Sequence, residues 1–407
     1  MKNLSCDFLI SGGGIVGLSI ANQLLEKNIS KKIIIIEKEC NLGMHTSGRN
    51  SGVLHAGIYY EPNSMKANVC IPGSIRLKEW IKERDLTINN CGKLIIPQRI
   101  DLDPQLDILF DRAKKNGAKV ELIYENDIRK LAPFANITSG RAIWSPNTSV
   151  VNPLEIINKL SSEIQNNGVK ILKGIENWEL NKSKSNVSLK DGTVINFGHF
   201  INASGLQADK VAHKFEVGKE YKIIPFKGLY WKVRKESFLD IKVNLYPVPD
   251  LNVPFLGIHF TPNYLNNSIS IGPTAIPALG RENYKLLEKI EFNNAISDLY
   301  FLLNQYLNNT DGFRKYVNDQ AFLGFPFLFL KASQELIPNL KYNDIEPSQK
   351  VGLRAQLFNI NNKKIVNDFL CINYSNSTHI LNSISPAFTA SFAFADFIID
   401  NYLMKKK

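Results

Sequence analysis

The sequence predicts an α/β protein in which a parallel-sheet domain is interleaved with an α+β domain that carries a mixed or antiparallel sheet. A strand, a glycine turn, a helix and a second strand follow one another within residues 1–36. Residues 221–276 are instead rich in β-type runs and turn signals, and 407 residues exceed the usual size of one domain. Further strand-and-glycine signals at 200–205 and at Gly352 indicate that the first domain is assembled from separated stretches. We expect residues 1–90, 150–215 and 350–407 to form this first domain and residues 91–149 and 216–349 to form the second.

The first secondary-structure elements follow from the spacing of apolar residues. Phe8–Ser11 is a short apolar run and predicts a strand. Leu18, Ala21 and Leu25 then recur at helical spacing, whereas Ile33–Ile36 is a continuous branched run. Such a run is typical of a parallel strand that is buried on both faces.

A glycine motif lies between the first strand and the first helix. Residues Gly12–Gly17, with the sequence GGGIVG, fit the pattern G-x-G-x-x-G. The first glycine of this pattern permits a tight turn, the second lets a pyrophosphate approach the backbone, and the third allows close helix packing. The free N–H groups at the start of the helix then attract the phosphates. Glu37 ends the next strand twenty residues after Gly17, where a carboxylate accepts hydrogen bonds from an adenosine ribose. Together these features predict a Rossmann-type dinucleotide-binding unit.

The predicted dinucleotide is FAD. The sequence contains one such fingerprint, so a second dinucleotide fold for NAD(P)H is not evident. The Ser/Gly-rich loop Thr46–Gly52 follows the ribose-binding strand and places a small-residue backbone along the path of an extended FAD. Electrons would then enter from an organic substrate and leave to oxygen, a quinone or another carrier.

Charge and composition narrow the set of partners. The formal net charge is +11, but apart from Lys405–Lys407 the lysines are dispersed, whereas nucleic-acid-binding proteins usually cluster them with aromatics. We therefore expect no nucleic-acid partner. The remaining interpretations are a solvated basic surface and a positive field that attracts an anionic substrate or an acidic membrane face. The sequence shows no long apolar span, no secretory signal pattern and no metal-type cysteine spacing. These features predict a cytoplasmic protein, with peripheral association at the inner face of the membrane as an alternative.

Residues 47–60, with the sequence SGRNSGVLHAGIYY, resemble the signature of the L-2-hydroxyglutarate oxidases and dehydrogenases. These enzymes belong to the wider flavoproteins that resemble D-amino-acid oxidase (DAO), such as glycine oxidase and sarcosine oxidase. Further matches are residues 254–259, Gly272-Pro273, Arg281-Glu282, residues 352–356, residues 368–370 and the helix start at Ser385-Pro386-Ala387. The resemblance implies a fold like those of glutathione reductase and DAO, and FAD-dependent oxidation of a 2-hydroxy acid to the 2-oxo acid. The alternatives are the same machinery acting on another hydroxylated or sugar-derived substrate or on a secondary amine, and a flavin-bearing binding module without turnover.

This chain departs from the family pattern in segments that are expected to wall the substrate. Leu229 stands where the family usually has an acidic residue, Thr274 stands in place of an asparagine, and Gly280 stands in place of a basic residue. These departures leave the identity of the best substrate open.

Histidine is the simplest base near neutral pH for accepting the proton of a substrate hydroxyl. The resemblance points to His55 and His259 as the two histidines nearest the flavin. His259 is the predicted substrate-facing base, and His55 is predicted to act on the flavin side. We expect His199, His213 and His379 to be structural.

A substrate carboxylate calls for an arginine or a lysine. The predicted substrate-binding residues are Tyr60, Lys227, Thr274 and Arg281, although a surface ion pair is the competing interpretation of Arg281. Arg354 follows Gly352 in a predicted turn, where it contacts cofactor or substrate. Ser385 is expected to cap the last helix, whose positive end would face the flavin N1 and O2 atoms. The predicted cofactor-binding residues are Gly12, Gly14, Ile15, Val16, Gly17, Glu37, Lys38, Thr46, Ser47, Arg49, Asn50, Ser51, Gly52, Ala203, Ser204, Gly205, Gly352, Arg354, Ser385, Pro386 and Ala387, and no metal is expected.

Overall fold

The computed structural model describes residues 2–249, 257–263, 268–320 and 322–404. Residues 254–256 of the family motif and the terminal Lys405–Lys407 therefore lie outside the described residues. The strands are β1 (Asn3–Ser11), β2 (Ile33–Ile36), β3 (Val53–Leu54), β4 (Ile88–Asn89), β5 (Lys93–Ile96), β6 (Glu121–Tyr124), β7 (Arg141–Ser145), β8 (Ser149–Val151), β9 (Lys170–Leu172), β10 (Trp178–Asn181), β11 (Asn186–Leu189), β12 (Val194–Asn202), β13 (Tyr221–Val233), β14 (Asn244–Pro247), β15 (His259–Asn263), β16 (Ser268–Gly272), β17 (Ile276–Pro277), β18 (Ile345–Asn359), β19 (Lys364–Ile365), β20 (Leu370–Tyr374) and β21 (Ser377–Asn382). The α-helices are α1 (Ile15–Glu26), α2 (Met65–Lys82), α3 (Asp103–Lys115), α4 (Glu125–Leu131), α5 (Pro153–Asn166), α6 (Ala208–Lys214), α7 (Phe292–Asn308), α8 (Phe313–Gln320), α9 (Pro326–Gln334) and α10 (Ala387–Ile398). Short 3₁₀ helices span Ile100–Leu102, Gly205–Gln207, Thr310–Gly312 and Tyr342–Asp344, and a π-helical turn, Ile399–Leu403, follows α10.

The first sheet has the strand order β10-β11-β12-β1-β2-β9, with β21 beside β12 and β20 beside β21. Its centre is parallel, because β1 pairs in parallel with both β12 and β2, and β2 pairs in parallel with β9. All four residues of β2 are buried, as the branched apolar run predicted. Apolar side chains of α1, α5 and α10 form one core against the sheet. The predicted Rossmann-type layer is therefore confirmed.

The second sheet has the order β19-β18-β13-β16-β15-β14-β5-β7-β6, with β17 beside β13. In the part of this sheet that the structure describes, β14 and β5 are parallel and the other neighbouring strands are antiparallel, so this is the predicted mixed sheet. A small third sheet joins β3, β8 and β4. The domain division itself stays a prediction, but its boundary at residue 350 falls inside β18, which belongs to the second sheet.

Three local predictions are wrong in ways that tertiary contacts explain. The predicted turn at Gly352 is the middle of β18, where Gly352 pairs with Gly228 of β13. The helical pattern of residues 72–84 predicts a helix that begins at Pro72, but the helix begins at Met65 and contains Pro72. Its start is stabilised by the Ser64 hydroxyl and by the distant Asp368 carboxylate, which accepts hydrogen bonds from the backbone N–H of Met65. The third, the predicted cap at Ser385, belongs to the site described below.

Among the described helices, none is both long enough and apolar enough to cross a membrane.

Candidate active site

A cavity of about 620 Å³ extends between the two large sheets. At one end it is lined by Ser11, Ile36 and Ala203, which lie at or just beyond the carboxyl ends of β1, β2 and β12. At the other end it is lined by Tyr246 and His259 of the second sheet. Ligands of open parallel sheets bind at the carboxyl ends of the strands, so the cavity lies where a dinucleotide is expected.

The glycine turn matches two of the roles predicted for it. Gly12 has a φ of +111°, and a Cβ there would meet the Ala203 carbonyl oxygen at 2.4 Å. A Cβ at Gly17 would meet the Gly12 carbonyl oxygen at 2.1 Å, so the close approach of α1 to the turn requires glycine. A Cβ at Gly14 would meet the Ser47 Oγ at 2.9 Å, at the edge of the cavity. The turn is therefore a cradle that side chains would fill, and it fits a pyrophosphate.

Glu37 and Ser47 hold the entrance to this cradle. The Glu37 carboxylate accepts hydrogen bonds from the backbone N–H of Gly13 at 2.8 Å and of Glu39 at 3.0 Å. The Ser47 hydroxyl accepts a hydrogen bond from the Ile15 N–H, at the start of α1, at 3.0 Å. Both side chains line the cavity. These bonds hold the Glu37 carboxylate in one orientation at the cavity wall. Its predicted role there is to accept hydrogen bonds from the ribose.

Asn50 and Arg49 stabilise the loop that bears the family signature. The Asn50 amide donates to the carbonyl oxygens of Thr46 and Ser47 at 3.2 and 2.7 Å and accepts from the Gly52 N–H at 2.8 Å. Arg49 donates to the Met44 carbonyl oxygen at 2.7 Å. Both residues line the cavity, but these contacts show that they also fix the shape of the loop.

A polar cluster joins this loop to the segment before α7. The Lys38 ammonium is paired with Glu39 at 2.9 Å and makes a short contact with Glu282. The His45 Nδ1 lies 2.7 Å from the Tyr284 hydroxyl, and its Nε2 lies 2.9 Å from Glu39. The hydrogen bond from Lys38 is the main cause that lowers the pKa of Glu39 to about 2. The two carboxylates therefore neutralise part of the positive charge of Lys38.

His55 lies on the loop beside the start of α10. Its Nε2 is 3.2 Å from the Ser385 hydroxyl, and its backbone N–H donates to the Thr389 hydroxyl at 3.0 Å. Its buried Nδ1 has no hydrogen-bond partner among the described residues. The pKa of His55 is held well below its ordinary value by burial and then by the charge of Lys93. The predicted cap at Ser385 is therefore wrong, since Pro386 occupies the cap position and the Ser385 hydroxyl contacts His55 instead.

His259 is the first residue of β15. Its imidazole stacks on the Tyr246 ring with a centroid distance of 4.0 Å and an interplanar angle of 8°. Its Nδ1 lies 3.1 Å from the Thr261 hydroxyl. Burial holds the pKa of His259 well below its ordinary value, and the charges of Lys93 and Arg354 add to this effect. Both histidines are therefore neutral near pH 7, which is the form that accepts a proton.

Three cationic side chains lie near these histidines. Lys93 is fully buried, and burial lowers its pKa to about 7. Burial also lowers the pKa of Lys350, which lies over the Tyr230 ring, to about 8. Arg354 lines the cavity. Sequence reasoning missed Lys93, Lys350 and Tyr246; the one available signal was a lysine that begins the otherwise apolar strand β5.

Two of the predicted substrate-binding side chains do not line the cavity. Lys227 donates to the Asn283 side-chain oxygen at 2.7 Å, and the Thr274 hydroxyl accepts from the Leu229 N–H at 3.0 Å. Gly228 and Tyr230 of β13 do line the cavity, and successive residues of a strand point to opposite faces. Since Gly228 lines the cavity and Lys227 does not, the position of the Lys227 side chain does not support the predicted contact with the substrate.

Arg281 lines the cavity but is held in a buried ion pair. Its guanidinium donates to both carboxylate oxygens of Asp209 and to the Leu206 carbonyl oxygen at 2.7 Å. Only 5% of its side chain and 2% of that of Asp209 are exposed, so the competing interpretation of a surface pair is also wrong. Of the four predicted substrate-binding residues, Tyr60 and Arg281 line the cavity.

Comparison with known proteins gives a family and full-length relatives. Residues 7–400 match a family model described as "DAO: FAD dependent oxidoreductase". A protein from Caenorhabditis briggsae named L-2-hydroxyglutarate dehydrogenase, mitochondrial, is 34% identical, and the match covers 98% of this chain and 94% of that protein. The human protein of that name is 32% identical over 97% of this chain and 88% of its own length. The L-2-hydroxyglutarate dehydrogenase of Escherichia coli K12 is 30% identical over 95% of this chain and 90% of its own length.

Solved structures agree in fold at lower identity. FAD-bound L-α-glycerophosphate oxidase from Mycoplasma pneumoniae superposes with a TM-score of 0.75 at 20% identity, over 99% of this chain and 95% of that one. Glycine oxidase from Geobacillus kaustophilus gives a TM-score of 0.73 at 15% identity, over 99% of this chain and 96% of that one.

Proposed function

The chain belongs to the DAO family of FAD-dependent oxidoreductases, and from this membership we propose that it oxidises an L-2-hydroxyglutarate-like 2-hydroxy acid to the 2-oxo acid. The full-length relatives named L-2-hydroxyglutarate dehydrogenase support this substrate class. The observation that carries the proposal is the pairing of two buried, neutral histidines with cationic side chains beside one cavity. Such a site accepts a proton and attracts an anion, and the oxidation of a 2-hydroxy acid needs both.

The residues at the parallel-sheet end of the cavity would hold the cofactor. The turn Gly12–Gly17 and the start of α1 would receive the pyrophosphate, and Glu37 would receive the ribose hydroxyls. The signature loop and the start of α10 would receive the flavin half. When bound, FAD supplies the acceptor for the hydride that leaves the substrate Cα.

His259 would accept the proton of the substrate hydroxyl. Oxidation removes a hydride from Cα and a proton from oxygen, so a neutral base must face the hydroxyl. Because His259 is buried among positive charges, its imidazole stays neutral well below pH 6.5. The contact with Thr261 and the stack on Tyr246 hold the ring in one plane. His55 would take the second position, where its buried Nδ1 has no hydrogen-bond partner among the described residues.

Arg354 and Tyr60 would bind the substrate carboxylate. Arg354 is a half-buried cation that lines the cavity, and Tyr60, which carries a hydroxyl, lines it too. Arg281 is less suited to this role because Asp209 already pairs with it. Lys227 and Thr274 are less suited because their side chains do not line the cavity.

The electron acceptor is proposed to be oxygen or a quinone, with peripheral association at a membrane. Helix α7 exposes an apolar stripe made of Phe292, Ile296, Leu299, Tyr300, Leu303 and Leu307. The helix carries no lysine or arginine, and its one acidic residue, Asp298, is buried and paired with Lys222. An uncharged apolar stripe on a chain of formal charge +11 suits an acidic lipid surface, from which a quinone is reached.

Anaerobic reduction of the purified holoprotein tests the substrate. L-2-hydroxyglutarate is expected to bleach the flavin absorption bands, and its D-enantiomer is the matched control. A panel of other 2-hydroxy acids, sugar-derived hydroxyl compounds and secondary amines tests the alternative substrates. Bleaching by an amine or a sugar derivative but by no 2-hydroxy acid contradicts the proposal.

A further inference from the structure

The region behind His259 contains a buried lysine that the reaction as described does not use. The Lys93 ammonium is fully buried and has no hydrogen-bond partner among the described residues. Its nearest described ring neighbours are Tyr246, at 4.2 Å from the ring centre, and Tyr59, at 5.0 Å. An unpaired buried ammonium is costly, so its position calls for an explanation.

The strand register places Lys93 in line with His259. Lys93 pairs with Asn244, two residues before Tyr246, so the Lys93 and Tyr246 side chains share one face of the sheet. Leu245 pairs with Phe260, which makes Tyr246 and His259 neighbours across β14 and β15. The Tyr246 ring therefore stands between the ammonium, at 4.2 Å, and the imidazole, at 4.0 Å.

We propose that Lys93 is a positioning residue of the oxidation, which acts on His259 through Tyr246. The ammonium is attracted to the face of the Tyr246 ring, and the ring in turn holds the imidazole in plane. Lys93 does not line the cavity, so it acts through this stack and through its charge rather than by touching the substrate. The inference rests on the proposed role of His259.

The charge of Lys93 adds to a positive environment around His259. The groups that face His259 are Lys93 on β5, His55 on the signature loop, and Lys350 and Arg354 on β18. Burial has the largest effect on the pKa of His259. Thr261 is the neutral hydrogen-bond partner. Removing the Lys93 charge therefore raises the pKa of His259. The acidic limb of the pH profile for flavin reduction then moves to higher pH, by about one unit for a charge at this separation.

Lys93→Met tests the proposal, because methionine keeps most of the length and removes the charge. We expect full FAD content, a melting temperature equal to or above that of the wild type, flavin reduction slowed about tenfold, and an acidic limb displaced upwards. Lys78→Met is the matched control, since burial also lowers the pKa of Lys78, but Lys78 lies on α2 and donates to the Asn147 carbonyl oxygen. An unchanged rate and pH profile in Lys93→Met overturns the proposal. Loss of FAD and a lower melting temperature in both Lys93→Met and Lys93→Gln also overturn it, in favour of a structural role.

Malonate binding separates this proposal from the proposed function. If no 2-hydroxy acid reduces the wild-type flavin, the proposed function fails, and binding of malonate to the oxidised holoprotein still tests Lys93 through the flavin spectrum. Affinity is expected to fall as the pH rises through about 7, where Lys93 loses its charge, and Lys93→Met is expected to lose this step. The same step in both proteins contradicts a charged Lys93 beside the site, and with it the electrostatic effect on His259 that the proposal requires.

Discussion

Replacing His259 with alanine is expected to slow reduction of the flavin by its substrate by about 10²–10⁴-fold. This range is the usual contribution of a positioned acid or base. At about 1.4 kcal/mol for each factor of ten, it corresponds to roughly 3–5 kcal/mol of activation free energy. The structure favours a loss within this range, because the stack on Tyr246 and the contact with Thr261 hold the imidazole in one orientation.

The pH dependence of the wild-type enzyme tests the role of His259 without a mutation. Because the pKa of His259 in the folded protein lies well below 6.5, its neutral form persists as the pH falls through that value. The rate of flavin reduction in the wild type is therefore expected to hold between pH 7 and 6 and to fall only at lower pH. If the base were a solvent-exposed imidazole with the ordinary pKa, it would become protonated near pH 6.5, and the rate of flavin reduction would fall there.

Stopped-flow spectroscopy under anaerobic conditions measures both quantities, at saturating substrate and at matched flavin content. The control is His199→Ala, which removes a partly buried histidine that contacts Thr378 outside the cavity. This control is expected to reduce its flavin at the wild-type rate. A His259→Ala protein that retains FAD and is reduced at the wild-type rate refutes the assignment of the base, and a wild-type limb near pH 6.5 refutes the electrostatic reasoning.

Three further predictions concern the cofactor, the buried ion pair and the membrane. Gly14→Val is expected to yield protein without FAD, because the new side chain meets Ser47 at the cradle; Gly324→Val, which enters open space, is expected to keep full flavin, and equal occupancy in both contradicts the cradle. Arg281→Met is expected to lower the free energy of unfolding by about 3–5 kcal/mol, because it leaves the Asp209 carboxylate buried without its cation, and chemical denaturation that shows less than 1 kcal/mol would count against this pair. Sedimentation with vesicles that contain phosphatidylglycerol is expected to capture the wild type and the Ile108→Glu control but not Ile296→Glu/Leu303→Glu; equal capture of all three, or dimerisation without vesicle binding, contradicts a membrane role for α7.

Local patterns predicted the parallel sheet well because its signals are contained in the sequence itself. The run Ile33–Ile36 is apolar at every position, and a strand that is buried on both faces requires apolar side chains on both of them. The glycine turn was predictable for a similar reason, since Gly17 is required by the close approach of the Gly12 carbonyl oxygen within the same βαβ unit. The start of α2 was not predictable in this way, because Asp368, which helps to stabilise it, lies 303 residues away from Met65 in sequence.

The main limit on predicting the site was that the sequence does not state which face of a strand lines the cavity. The charge of Lys227 predicts a contact with a substrate carboxylate, but charge alone does not state which face of a strand a residue occupies. Lys227 and Gly228 are adjacent, yet only Gly228 lines the cavity, since alternate side chains leave opposite faces of the sheet. Arg281 reaches the cavity wall, but its pairing with Asp209 depends on α6, which no local pattern connects with residue 281.

The positive charge of the site could not be predicted from the net charge of the sequence, because it depends on which cationic residues the fold brings together. The formal charge of +11 is spread along the sequence, and exposed lysines such as Lys130 and Lys285 are paired with neighbouring carboxylates. What distinguishes Lys93, Lys350 and Arg354 is burial beside aromatic rings or the cavity, which lowers their pKa values. Two of the three come from β18 and one from β5, on opposite sides of β13–β16 in the sheet. The strand order places these three charges near the histidines. The charges attract a substrate anion, and the same charges keep the imidazole of His259 neutral.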